Sequence, residues 1–193
     1  MAWPTSLQVA LKEWNTVCRA LESGRQMLLL RKGGIYESAG GFEIENRQFL
    51  LFPTYLHQNP QMLKDEALPW YEKRSSEPER IEISLAGSIT DIVRIEARAQ
   101  MDALESEHVW TTPLIDMRFS YKPQNPLYLL IVRAFELPKT TTVNNTPAYA
   151  GCKSWVPLDE AIDTSAVRPV IDAGIHAERR ERILATVTAH APG

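Results

Sequence analysis

Leu28-Leu29-Leu30-Arg31-Lys32-Gly33-Gly34-Ile35 is an apolar run that breaks into two cations and two glycines. A continuous apolar stretch between Gly24 and Gly33-Gly34 predicts a strand over residues 26–31, buried on both faces. Its end carries a planar guanidinium and a mobile ammonium into a turn where two residues lack a Cβ. Backbone N–H groups can approach an anion there, so Arg31, Lys32, Gly33 and Gly34 are candidates for capturing phosphate or carboxylate. The plainer alternative is a strand end solvated by two cations. The spacing is neither that of a P-loop nor that of a GxGxxG dinucleotide fingerprint.

Before this run, Leu7, Ala10, Leu11, Trp14, Val17, Cys18 and Leu21 recur at three- and four-residue steps, which predicts one helix over residues 6–21. Thr5 and Gln8 form a capping-box pattern, and Gly24 is placed to end the helix. After it, Phe42-Glu43-Ile44-Glu45 alternates like a half-exposed strand, and Phe49-Leu50-Leu51-Phe52 is an apolar strand closed by Pro53. Residues 72–79 form an exposed connection. Further strands are expected at 80–85 and 88–97, separated by Gly87, with a short helix at 100–108. The run 127–132 belongs at the centre of the sheet. A polar loop over 140–147, a short helix over 157–162 and an amphipathic helix over 176–188 complete the chain.

The chain has 193 residues, of which 44% are hydrophobic and 23% charged, which fits one α+β domain over 1–193. A net charge of −3 gives no global attraction to polyanions, so any nucleic-acid binding requires a local basic patch. Cys18 and Cys152 are too few for a disulfide scaffold or a cysteine zinc site, and neither a signal sequence nor a spanning run is visible. A cytoplasmic protein without membrane association is the expectation.

Thr54, Tyr55, His57 and Gln58 place an aromatic, an imidazole and an amide in one irregular segment, suited to reading a base or to acid/base work. Arg118 and Arg133 follow apolar residues and are either strand-end cations or partners of Arg31 in one anion site. His108 and Trp110 are expected to pack in the interior. Glu37, Glu43 and Glu45, with His57, offer a metal-dependent hydrolase or nuclease as an alternative, although acidic alternation also suits an exposed strand. The four histidines are too dispersed for a zinc site, and no cofactor is indicated. Cys152 beside Lys153 is read as a small buried thiol next to Trp155.

Leu11-Lys12-Glu13-Trp14, residues 28–35, Phe49 to Thr54 with His57-Gln58, and Tyr149 to Leu158 together resemble the bacterial DUF1802 family. The resemblance covers residues 10–158, with a helical extension over 172–190, and implies no activity and no catalytic residue. A helix ending at Gly24 and feeding a strand that carries Arg31 is also similar to the opening of PUA-like and ASCH-type barrels. That likeness implies a mixed, curved sheet or small β-barrel, with RNA or a modified base as ligand. The expected fold is an N-terminal helix on such a sheet, closed by a C-terminal helix. The expected function is a binding module for a phosphate-bearing ligand, either RNA, DNA or a nucleotide. The hydrolase and a protein-interaction domain stand as alternatives.

Overall fold

The computed structural model describes residues 3–32, 37–38, 41–42, 46–151 and 153–192. Its first element overturns the helix expected over 6–21. Ser6–Trp14 is a strand, β1, and only Asn15–Glu22 is helical, α1. Read at period two, Val9, Leu11 and Glu13 alternate with Ala10 and Lys12 along β1, after a register shift between Leu7 and Val9. The carboxylate of Glu13, in a buried position, hides this alternation. The Thr5/Gln8 capping box is therefore absent, and Gln8 Nε2 instead donates to Leu158 O at 2.9 Å. The start of α1 is capped from a distant loop, where Gln58 Oε1 accepts from Thr16 N and from the Thr16 hydroxyl, both at 2.8 Å. Gly24, at φ +72°, closes the helix in the left-handed conformation expected of it.

The apolar run forms β2, Leu28–Arg31, followed by a small hairpin of β3 (Glu37–Ser38) and β4 (Gly41–Phe42). Then come β5 (Gln48–Thr54), β6 (Arg80–Ile95), α2 (Arg98–Asp102) and α3 (Thr112–Ser120). The chain ends with β7 (Leu127–Asn144), β8 (Trp155–Asp163), β9 (Arg168–Pro169) and α4 (Ala173–Ala189). Among the described residues the main sheet has seven strands in the order β2-β7-β6-β5-β1-β8, with β9 added to β7. β1 and β5 run parallel and the other pairs antiparallel, so the sheet is mixed. Register shifts in the β6–β7 pair, between Ile83 and Leu85 and between Ile89 and Asp91, bend the sheet. No pairing among the described residues joins β2 to β8, so it is a curved sheet and not a closed barrel.

Three further expectations change. Gly87 does not separate two strands; it lies inside β6, opposite Phe49 of β5. A Cβ there would come within 2.9 Å of Phe49 Cζ and 3.1 Å of Val132 Cγ1, so the glycine makes room for a ring. Residues 140–144 are not loop, because Thr141, Thr142 and Val143 continue the ladder with β6, and β7 sits one strand in from the β2 edge. Residues 157–162 belong to edge strand β8, with Leu158 and Ile162 buried and Asp159 and Glu160 exposed. An edge position also tolerates Pro157.

The helix expected over 100–108 is split into α2 and a 3-10 turn, Glu105–Glu107. The C-terminal helix forms as the amphipathic pattern predicts, with Ile183 and Val187 entering the core that holds Leu28 to Leu30. Arg179 fastens α4 by donating to Glu107 Oε2 at 2.6 Å, Gly24 O at 2.8 Å and Arg25 O at 2.7 Å. His108 and Trp110 are interior residues, and so is Cys18. No helix of the described residues is long and apolar enough to cross a membrane.

Candidate functional site

The parallel pairing of β1 with β5 sets Glu13 beside Pro53 and Trp14 beside Thr54, so both strands end together. Their ends open on a cleft of about 720 Å³, within the ~300–1,000 Å³ range of small-molecule sites. Arg31 reaches it from the end of β2 and Arg118 from the last turn of α3. The segment between β7 and β8 forms the facing wall, and His57 stands exposed at the rim.

The floor is an ion pair. Arg31 Nη2 lies 2.9 Å from Glu13 Oε2, and the two side chains are only 11% and 7% exposed. Arg31 also donates to Lys12 O at 3.0 Å, while the other Glu13 oxygen accepts from Trp14 N at 2.8 Å. The Thr54 hydroxyl donates to Glu13 O at 3.1 Å. Arg118 faces the same carboxylate but forms no ion pair among the described residues, and its buried Nε has no hydrogen-bond partner. Burial lowers the Arg118 pKa below the ordinary arginine value; Glu13 opposes the shift and Arg31 adds to it. Arg31 thus takes the carboxylate as its ion-pair partner, and Arg118 feels only its charge.

The facing wall is pinned by Lys12, whose Nζ donates to the Tyr149 carbonyl and, at 3.2 Å, to that of Gly151. Gly151 takes φ +84°, a left-handed turn that suits glycine. Tyr149 meets Phe52 edge to face at 6.0 Å, and its hydroxyl accepts from Asp159 N at 2.8 Å. The rim is shaped by Glu77, whose carboxylate accepts from the backbone N–H groups of Tyr55 and Leu56 at 3.0 Å. Lys153 is exposed at the mouth.

Of the residues singled out from the sequence, Arg31, Thr54, His57 and Arg118 meet in this cleft. Lys32 turns away and donates to Phe119 O at 2.6 Å, beside a separate hollow of about 220 Å³ that Arg94 also lines. Tyr55 lies under the Arg74 guanidinium at 4.5 Å, and Gln58 is the cap of α1. Arg133 stands over the Phe135 ring, outside the cleft. Gly33, Gly34, Glu43, Glu45 and Cys152 lie outside the described residues, and Glu37 is described only in its backbone. Among the described residues no group of three or more His, Cys, Asp or Glu side chains could hold a metal.

Lys12, Glu13, Glu77 and Tyr149 escaped the reading of single motifs. For Lys12, Glu13 and Tyr149 the signal was indirect, because the segments around Glu13, Arg31, His57 and Tyr149 that carry the DUF1802 resemblance meet at the cleft, whereas Glu77 lies outside them.

The ASCH protein of Zymomonas mobilis is similar in structure at TM-score 0.46 and 9% identity, covering 79% of this chain and 87% of that one. One single-substitution variant of it aligns at TM-score 0.46 and 10% identity, over 79% of this chain and 90% of its own. A second gives TM-score 0.43 and 8% identity, over 94% and 99%. None of the curated proteins matches the sequence. The family match starts at residue 10, where the resemblance began, and runs past residue 158 into α4. Over residues 10–182 the chain belongs to the DUF1802 family, a domain of unknown function.

Proposed function

We propose that the cleft binds a phosphate-bearing ligand, a nucleotide or nucleic acid, with Arg118 as the principal partner of the phosphate. The charge count on the floor carries this reading. Glu13 is matched by Arg31, and the desolvated Arg118 guanidinium forms no ion pair among the described residues and has its buried Nε without a hydrogen bond. A cation in that state is stabilised by an incoming anion, and a planar fork suits a phosphate bidentately. Lys153 adds to the attraction at the mouth.

Fluorescence anisotropy with labelled nucleotides and short RNA and DNA probes, at low and near-physiological salt, tests the reading. Arg118→Ala should weaken binding by about 1.5–3 kcal/mol, roughly ten- to hundred-fold, with the circular dichroism spectrum unchanged. Wild-type affinity in Arg118→Ala would refute it. Arg31→Ala is a poorer probe, because it disturbs a buried ion pair.

A further inference from the structure

Resting on the reading of the cleft as a phosphate site, we infer that its ligand is a compact phosphomonoester, of about mononucleotide size, and not an internal stretch of an RNA or DNA chain. The cations converge on one point. Arg31 and Arg118 both line the cleft, and the charge of Glu13, the ion-pair partner of Arg31, acts on Arg118 as well. Single-strand binders instead combine a cationic groove that follows the backbone with aromatic faces on which successive bases stack.

The aromatic residues of the cleft offer no such platform. Phe52 is 2% exposed and Tyr149 3%, and the two rings pack edge to face against each other. Trp14 is half-buried, packed against two parts of the core. The flanks are also wrong for a polyanion. Glu77 lines the cleft, and its carboxylate is fixed at the rim by the backbone N–H groups of Tyr55 and Leu56. A chain running out of the cleft over that rim would meet the Glu77 carboxylate. A terminal phosphate has the opposite fit, since it carries nearly two charges at neutral pH on three oxygens, and it can end at the floor.

Isothermal titration calorimetry of the full chain at low salt separates the outcomes. The probes are 5′-AMP, ribose 5-phosphate, adenosine, and an unphosphorylated RNA of about a dozen nucleotides. Wild type should bind at least one monoester about tenfold more tightly than the RNA and more tightly than adenosine, and Arg118→Ala should lose that binding by about tenfold. If the RNA binds more tightly than either monoester, and Arg118→Ala abolishes this, the inference is overturned and the cleft remains a phosphate site. Adenosine binding as well as 5′-AMP would also overturn it. No binding by any probe, or binding indifferent to Arg118→Ala, would remove the site itself.

Discussion

Arg31→Ala separates the architecture of the cleft from its capacity to bind. In the wild-type protein the Glu13 carboxylate is 7% exposed and holds Arg31 at 2.9 Å. Without Arg31 it keeps the Trp14 N–H at 2.8 Å and the nearby charge of Arg118. Removing one partner of a buried pair costs about 3–5 kcal/mol, and these two residual interactions place the loss near ~3 kcal/mol. With a urea dependence of about 2 kcal/mol per molar, the unfolding midpoint should fall by about 1.5 M. The melting temperature should fall by roughly 6–12 °C. Arg118→Ala removes no ion pair and should stay within about 0.5 kcal/mol of wild type. Adding Glu13→Gln to Arg31→Ala should recover much of the loss, since no buried charge is then left alone, giving a coupling of about 1–3 kcal/mol. Urea titrations followed by tryptophan fluorescence measure these proteins together with the Glu13→Gln single variant, which closes the cycle. An Arg31→Ala midpoint equal to that of wild type would refute the pairing of the floor and return Arg31 to the role of a free ligand-binding cation.

Other regions give independent checks. His108 is fully buried, and its burial pushes the pKa from 6.5 down to about 4. Because the folded value is the lower one, the neutral ring stabilises the fold above pH ~6.5, and about 3 kcal/mol is lost as the pH falls toward 4. Urea midpoints at pH 7 and pH 4 should therefore fall further in wild type than in His108→Gln, and equal falls would exclude this residue as the cause. Gly87→Ala forces a methyl to within 2.9 Å of Phe49 and should cost about 1–3 kcal/mol in thermal unfolding; an unchanged melting temperature would refute the packing assigned to Gly87. Gln58→Ala strips the cap from α1 and should cost about 1–2 kcal/mol, with faster amide exchange at Thr16 than in wild type.

Part of the site is written in local composition. A strand end carrying Arg31, an irregular segment carrying Thr54 and His57, and Arg118 among apolar residues each drew notice as cations or polar groups at the edge of apolar runs. Their convergence could not be read locally. Arg31 lies near the N-terminus and Arg118 on α3, and only the pairing of β2 with β7 and of β1 with β5 determines what stands beside them. The same limit separates Arg31 from Lys32. Adjacent in sequence, they reach different hollows, because β2 ends at Arg31 and Lys32 lies in the bend that follows.

The apolar runs at 28–30, 49–52 and 127–132, and the amphipathic pattern of α4, determined by themselves that these segments are buried strands and a docked helix, because their side chains leave water in any compact arrangement. The tertiary structure decided the rest. Ser6–Trp14 satisfies a helical period and an alternating one, and it is a strand because β5 and β8 supply hydrogen-bond partners on both sides. Residues 157–162 became a strand against β1 for the same reason. Glu13 in particular contradicts its own strand pattern until Arg31 is placed against it. A carboxylate is tolerated in the interior only when a distant cation meets it there, and no local stretch of sequence contains both.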